Sequence, residues 1–276
     1  MDNTQDMDNL HDTDNTSNTS LMDQTQTAQM YEELVSGLQQ YFKKHHFTKA
    51  VLGVSGGIDS ALTLKIAVDA LGAENVTGIL MPEKGITKEE NMYHARTLCT
   101  FLNVGFHTIQ INKFLMDFGT LPWKGNQHSQ MNLKPRLRMT LLYHYANTFG
   151  SLVLGTSNRS EILLGYGTKF GDFAADIEVI ADLYKEDVYA LSRYIGLPDE
   201  LIEKKPSAEL RANQTDEHEL GASYNELDPI LKHHELGFEK LLEKGMNPGT
   251  LNRTLRRIEE NRHKCEPTPI IKVTRT

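Results

Sequence analysis

Apolar residues recur along this chain at two spacings, and the switches between them predict its elements. From about Ala28 to Lys44, the residues Met30, Leu34, Leu38, Tyr41 and Phe42 mark one face of an amphipathic helix. Ala50 to Val54 is an unbroken aliphatic run, the pattern of a parallel strand buried on both faces. Helical spacing returns from Ser60 to Leu71, with Leu62, Ile66, Ala67 and Ala70 on one side. Val76 to Met81 predicts a second buried strand that stops at Pro82, about Thr87 to Leu102 a helix, and Phe106 to Ile111 a third strand. No period holds between Asn112 and Lys134, which predicts a mobile loop near the site. A helix resumes with Pro135 in its first turn and Leu137, Leu141, Leu142, Tyr145 and Ala146 facing inward. Leu152 to Thr156 predicts a fourth strand, Tyr184 to Ile195 a further helix, and the stretch from about Leu210 onward helices and loops. Strands that alternate with helices, without an internal repeat, predict an α/β fold. Its core is a doubly wound parallel sheet flanked by helices, with ligands beyond the carboxyl ends of the strands.

One stretch shows neither spacing. Met1 to about Gln29 is dominated by Asp, Asn, Thr, Gln and Ser, which predicts a disordered tail over 1–27 ahead of a single domain over 28–276. An acidic interaction tail is the alternative. The chain has 276 residues, 39% of them hydrophobic, enough for a sizeable core. A net charge of −8 argues against an extended nucleic-acid footprint, so no nucleic-acid partner is expected. Only Cys99 and Cys265 occur, which excludes a disulfide framework or a Cys-based zinc motif and suits a reducing cytosol. No apolar run approaches a membrane span, and the first residues lack the basic and apolar regions of a signal peptide. A cytoplasmic protein with no membrane partner is expected.

Candidate chemistry concentrates where the first strand meets its helix, at Gly53-Val54-Ser55-Gly56-Gly57-Ile58-Asp59-Ser60. Backbone N–H groups at such a turn have no intrahelical partner, and the helix dipole adds partial positive charge, so an oxyanion is favoured there. Glycines allow close approach, and Ser55 and Ser60 can add hydroxyl donors. A Walker A loop is excluded, because Ile58-Asp59 stands where that motif has Lys. Beside phosphate, Asp59 makes sense through Mg²⁺, which a carboxylate can hold against phosphate oxygens. The bland reading is an ordinary glycine-rich turn capped by Ser or Asp.

A second constellation follows the fourth strand. Thr156-Ser157-Asn158-Arg159-Ser160-Glu161 opens a helix, where Glu161 is either a plain cap or a carboxylate facing the ligand edge. Gly165 to Asp176 is a glycine-interrupted loop with one Lys and two Asp, the composition of a loop that closes over substrate or of a mere connector.

The SGGIDS turn resembles the pyrophosphate loop of the N-type ATP pyrophosphatases. The stretches LVLGTSNRSE, GYGTKFGDFAAD, KKPSAEL, QTDEHELGASY and NRHK, in this order, are similar to ammonia-dependent NAD synthetase, over about residues 28 to 267. The resemblance implies a Rossmann-like fold of the adenine nucleotide alpha-hydrolase type. It implies that Gly53, Val54, Ser55, Gly56, Gly57, Ile58, Asp59 and Ser60 cradle ATP, with Thr156, Lys185 and Ser207 also contacting the nucleotide. Asp59 and Glu161 would hold Mg²⁺. Deamido-NAD would meet Arg136, Lys169, Asp176, His263 and Lys264, with Lys169, Asp176 and Lys185 the catalytic side chains. The implied reaction adenylates deamido-NAD and displaces AMP with ammonia, in a homodimer whose substrate site lies at the interface. Without the resemblance, Lys185, Arg136, His263 and Lys264 would read as solvated charges.

Departures are small. Pro135 stands where Ala is expected before Arg136, and Phe173-Ala174 where many members have two glycines. No additional domain with a catalytic Cys for glutamine hydrolysis is evident, so free ammonia is the expected nitrogen donor. A tRNA-modifying relative fits poorly with an acidic chain holding two isolated cysteines. A nucleotide-binding sensor without chemistry would leave Asp59, Glu161, Lys169 and Asp176 idle.

Overall fold

The computed structural model describes residues 13–204, 206–207, 210–211 and 215–274. In chain order it contains α1 (Thr13–His45), β1 (Lys49–Gly53), α2 (Ile58–Leu71), β2 (Val76–Leu80), α3 (Glu89–Phe101) and β3 (Gly105–Thr108). Next come α4 (Asn112–Asp117), α5 (Gln127–Phe149), β4 (Ser151–Gly155), α6 (Arg159–Leu164), β5 (Ile177–Glu178) and α7 (Lys185–Tyr194). The chain ends in α8 (Asp199–Ile202), α9 (Asp216–Leu220), α10 (Tyr224–Lys232), α11 (Phe238–Glu243) and α12 (Pro248–Asn261). Among the described residues the sheet has five parallel strands in the order β3-β2-β1-β4-β5. The doubly wound α/β fold expected from the sequence is therefore present.

Alternation along each central strand fills both faces. Ala50, Leu52, Leu152 and Leu154 point into a core shared with α1, α2, α3 and α7, whereas Val51, Ile79 and Val153 meet α5 and Ile111 on the other side. Two-sided burial is why these strands read as aliphatic runs. A smaller core joins α6, α10 and α12 through Leu164, Leu227, Leu231 and Ile258. That cluster matters to the site, because it anchors the start of α7.

The order of the strands decides where a ligand can go. The chain winds outward from β1 to β3 on one side and from β4 to β5 on the other, so the ends of the adjacent strands β1 and β4 flank the point where winding reverses. A crevice opens at such a switch point.

Two sequence expectations are corrected. Residues 112–134 are not a structureless loop, because they hold α4 and the first two turns of α5, and Pro135 lies inside that helix rather than in its first turn. The Asn126 side chain caps α5 by accepting from Ser129 N at 2.8 Å, and Lys134 reaches Glu83 at 2.7 Å and the Leu210 carbonyl at 2.7 Å. These anchors outweigh the hydrogen bond that a proline inside a helix forgoes. The second concerns the tail. Residues 1–12 lie outside the described residues, but the backbone from Thr13 is already helical, continuous with the docked stretch bearing Leu38 and Phe42. Once a helix is nucleated on a packed face, extension through polar residues costs little, which carries α1 past the boundary read at residue 27.

Candidate active site

The turn after β1 is shaped by its own serines. Ser60 Oγ donates to the Gly57 carbonyl at 3.0 Å and accepts from Ser55 N at 3.3 Å, while Ser55 Oγ accepts from Gly57 N at 3.2 Å. Ser60 is 3% exposed, so its hydroxyl holds the turn rather than offering the extra donor expected from the sequence. Gly56 has φ +79°, and a Cβ there would lie 2.1 Å from the Asn91 backbone oxygen. No side chain caps α2, and its first helical bond runs from Ala61 N to the Gly57 carbonyl. The N–H groups of Ile58, Asp59 and Ser60 thus open toward a ligand.

A cavity of about 550 Å³ lies over this turn at the switch point. It gathers Gly53, Val54, Ser55, Gly57, Ile58, Asp59 and Ser60 from the turn with Thr156, Glu161, Lys185 and Ser207, so nearly all of the residues assigned to ATP and metal meet in one place. Gly56 supports the wall from behind.

Lys185 is the hub. It is fully buried, its Nζ lies 2.6 Å from Asp59 Oδ2 and 3.9 Å from Glu161, and it stands over the Tyr224 ring. Burial disfavours its ammonium, but the charges of Asp59 and Glu161 outweigh that and hold it more firmly protonated than a free lysine. Glu161 is pushed well above the ordinary carboxylate range, first by burial and then by the charge of Asp59. Position comes from the neighbouring helices. Asp228 of α10 accepts from Ser160 Oγ at 2.6 Å and from Glu186 N at 3.0 Å, and Ser160 Oγ accepts from Lys185 N at 3.0 Å.

Glu161 caps α6 and lines the cavity. It closes a capping box with Asn158 and also faces Lys185. Asn158, fully buried, was missed by the sequence reading. Its side-chain amide donates to Asp59 Oδ1 at 2.8 Å and so orients the carboxylate. The capping spacing Asn158-x-x-Glu161 was its legible signal. Asp216 was missed as well. It is 3% exposed, borders the cavity and accepts from the Tyr166 and Tyr224 hydroxyls. Glu178, whose carboxyl burial pushes up to about 7, accepts from Ser157 N beside the β4 end.

None of the residues assigned to deamido-NAD lines this cavity. Arg136 Nε donates to the Lys169 carbonyl at 3.2 Å, Lys169 Nζ reaches the His263 carbonyl, and Lys264 Nζ reaches the Gly165 carbonyl at 2.8 Å. Asp176 Oδ2 accepts from Val153 N at 2.7 Å, with Tyr143 OH at 3.4 Å from Oδ1. Of the two arginines at the middle of α5, Arg138 borders the cavity and Arg136 does not.

Two carboxylates and a cavity fit for phosphate suit a hard cation such as Mg²⁺. Such an ion takes one or two protein carboxylates and completes its shell with water and phosphate oxygens, and Asp59 and Glu161 compete here for a single ammonium. Among the described residues, no group of three or more His, Cys, Asp or Glu is placed to hold a metal ion. Phosphate would have to supply the remaining ligands.

Residues 30–268 match the protein family described as NAD synthase. An NH(3)-dependent NAD(+) synthetase of Archaeoglobus fulgidus is 43% identical over 226 residues, 82% of this chain and 89% of the relative. Among solved structures, the NH3-dependent NAD synthetase from Campylobacter jejuni, in complex with the nitrate ion, is 35% identical with a TM-score of 0.77, over 89% of this chain and 99% of that one. An NMN synthetase from Francisella tularensis is 31% identical with a TM-score of 0.80, over 90% and 99%.

Proposed function

The chain belongs to the NAD synthase family, and from that membership we infer that it amidates deamido-NAD with ammonia at the expense of ATP, yielding NAD, AMP and pyrophosphate. The observation that carries the site assignment is the meeting of the SGGIDS turn with Asp59, Glu161 and Lys185 in one cavity between β1 and β4. Residues 28–276 would act as one catalytic domain, with ATP held by Gly53 to Ser60, Thr156, Lys185 and Ser207.

In the first step a carboxylate oxygen of the nicotinate group attacks the α-phosphorus of ATP. The bond from that phosphorus to the bridging oxygen breaks, and pyrophosphate leaves with the electron pair, producing an acyl adenylate. Open N–H groups at the start of α2 and the Lys185 ammonium stabilise the charge that gathers on the departing oxygens. A Mg²⁺ ion held by Asp59 and Glu161 would neutralise phosphate charge. In the second step ammonia attacks the acyl carbon, AMP leaves, and nitrogen sheds a proton. No side chain is needed as nucleophile.

Arg136, Lys169, Asp176, His263 and Lys264 are proposed to hold deamido-NAD, with Asp176 ordering or deprotonating the incoming ammonium. Asp176→Asn keeps an oxygen able to accept from Val153 N, so it removes charge with little disturbance. It is expected to slow amide formation by about 10²–10⁴-fold while pyrophosphate release in a single turnover persists. Equal loss of both steps, or of neither, would remove Asp176 from that role.

A homodimer whose interface completes the deamido-NAD site is part of the proposal, supported by Met116, Trp123 and Phe149, which leave large apolar surface exposed along the α4 to α5 segment. Sedimentation then reads twice the 31.2 kDa chain mass. Among the described residues no helix is long and apolar enough to cross a membrane, and we place the enzyme in the cytoplasm, where free Cys99 and Cys265 stay reduced. The central experiment incubates the protein with ATP, Mg²⁺, ammonium and either deamido-NAD or nicotinate mononucleotide. NAD and AMP in the first mixture are expected; product only from the mononucleotide would reassign the substrate, and no product in either would overturn the function.

A further inference from the structure

We propose that Phe173 is a positioning residue for deamido-NAD, whose ring, seated on Gly167, closes the 167–173 lobe and so presents Lys169 to the substrate. A Cβ added at Gly167 would lie 2.4 Å from two carbons of the half-buried Phe173 ring and 2.9 Å from a third. Gly167 is not among the glycines with positive φ, so its backbone would accept an ordinary residue. It is the ring that requires a glycine there. Between the two residues the chain turns back on itself. Thr168 N donates to Asp172 Oδ1 at 2.8 Å, Gly171 N to the Thr168 carbonyl at 2.8 Å, and Ser157 Oγ to the Asp172 carbonyl at 3.3 Å.

The lobe rests on α5 through Thr168 Oγ1, which donates to Asn132 Oδ1 at 2.8 Å, and through Gly171, where a Cβ would meet Pro135 Cβ at 2.9 Å. Lys169 and Phe170 stand at its tip. Phe170 has φ +61°, a left-handed conformation that a bulky residue keeps only where surrounding contacts enforce it. An open lobe would relax that residue, so contacts at both the flank and the base must hold it closed. α5 supplies the flank, and the Phe173 ring on Gly167 supplies the base. In the closed lobe Lys169 Nζ reaches the His263 carbonyl and Arg136 Nε reaches the Lys169 carbonyl, which gathers three of the residues assigned to deamido-NAD. Ordering them before substrate arrives removes that entropy cost from the binding step. Asp176 is held separately. Its carboxylate accepts from Val153 N on β4 and its carbonyl from the Tyr41 hydroxyl of α1, so the chemical step does not depend on the ring.

This inference rests on the assignment of Lys169 and its neighbours to deamido-NAD, and its test can fail separately. Phe173→Ala is expected to raise the KM for deamido-NAD about tenfold, as when only a tenth of the molecules hold the binding-competent lobe. In the same variant kcat and the KM for ATP should stay within about twofold, the signature of lost uniform binding. Gly167→Ala pushes the ring off its seat and should raise the KM for deamido-NAD about tenfold as well. The double variant should be no worse than Phe173→Ala, because the added methyl then meets no ring. Effects that multiply would show two independent residues and overturn the proposal. So would an unchanged KM in Phe173→Ala, or a loss shared by kcat and both KM values. Trypsin reads the lobe without turnover. Cleavage after Lys169 should be at least about tenfold faster in Phe173→Ala than in wild type, with cleavage elsewhere unchanged, because only the lobe opens. Equal rates after Lys169 would also overturn the proposal. Wild-type protein that shields Lys169 but makes no NAD would instead count against the proposed reaction alone.

Discussion

Lys185→Met is expected to lower kcat/KM for ATP by at least about 10²–10³-fold, the loss seen when one donor to a developing anion is removed. Methionine fills nearly the same volume in this fully buried position, so the change is one of charge. The stability of the variant carries the sharper signature. Without the ammonium, Asp59 and Glu161 face one another in a buried setting, with Asp216 contributing further negative charge. Breaking a buried ion pair by removing one partner costs about 3–5 kcal/mol. The pH dependence follows from sign. A carboxyl whose folded pKa is raised above its unfolded value destabilises the fold at pH above that folded pKa, and the penalty is relieved as pH falls through it. Lys185→Met should therefore regain stability relative to wild type as pH falls, read by urea unfolding across a pH series. Added Mg²⁺ should stabilise the variant at pH 8 for the same reason. A variant as stable as wild type at pH 8, or one still cleaving ATP, would remove Lys185 from the centre of the site.

The residues around Lys185 show what sequence could and could not convey. β1, β2 and β4 were legible because a strand buried on both faces must be aliphatic throughout, and the turn after β1 because phosphate chemistry demands small residues there. Asp59 and Lys185 lie 126 positions apart, and no local spacing says that they touch. Family resemblance brought both to the nucleotide, but their ion pair appears only when β1 and β4 lie side by side. Asn158 was readable as a cap and unreadable as the residue that orients Asp59, since that bond also spans the switch point. α5 failed for the opposite reason. Its first two turns are polar and without period, and their stability comes from the Asn126 cap, from Lys134 and from Thr168, whose hydroxyl bonds Asn132. Pro135, a reliable start signal in isolation, was overruled by those contacts and packs against Gly171.

Gly56→Ala is expected to abolish ATP binding, and a second glycine allows the cause to be divided. Gly56 and Gly85 both have positive φ, +79° and +90°, so an L side chain at either is strained by about 1–2 kcal/mol. At Gly85 a Cβ would meet open space. Gly85→Ala should therefore show the backbone penalty alone, a small drop in thermal midpoint with near-normal turnover. At Gly56 the new methyl would lie 2.1 Å from the Asn91 backbone oxygen and 2.8 Å from its carbonyl carbon, contacts that no side-chain rotation relieves. Either the turn must move away from α3 or α3 must shift, and both displace the N–H groups that face the cavity and the carbonyl that Lys204 holds. The structural arithmetic predicts at least a hundredfold loss in kcat/KM for ATP, roughly the effect of an ångström of misplacement at a reacting centre. Thermal unfolding with and without Mg-ATP provides the measurement. Wild type and Gly85→Ala should be stabilised by the ligand, as any species that binds only the folded state requires, and Gly56→Ala should not. Equal ligand-induced stabilisation in all three proteins would mean that the turn after β1 does not grip ATP through its backbone, and the phosphate site would have to be sought elsewhere in the cavity.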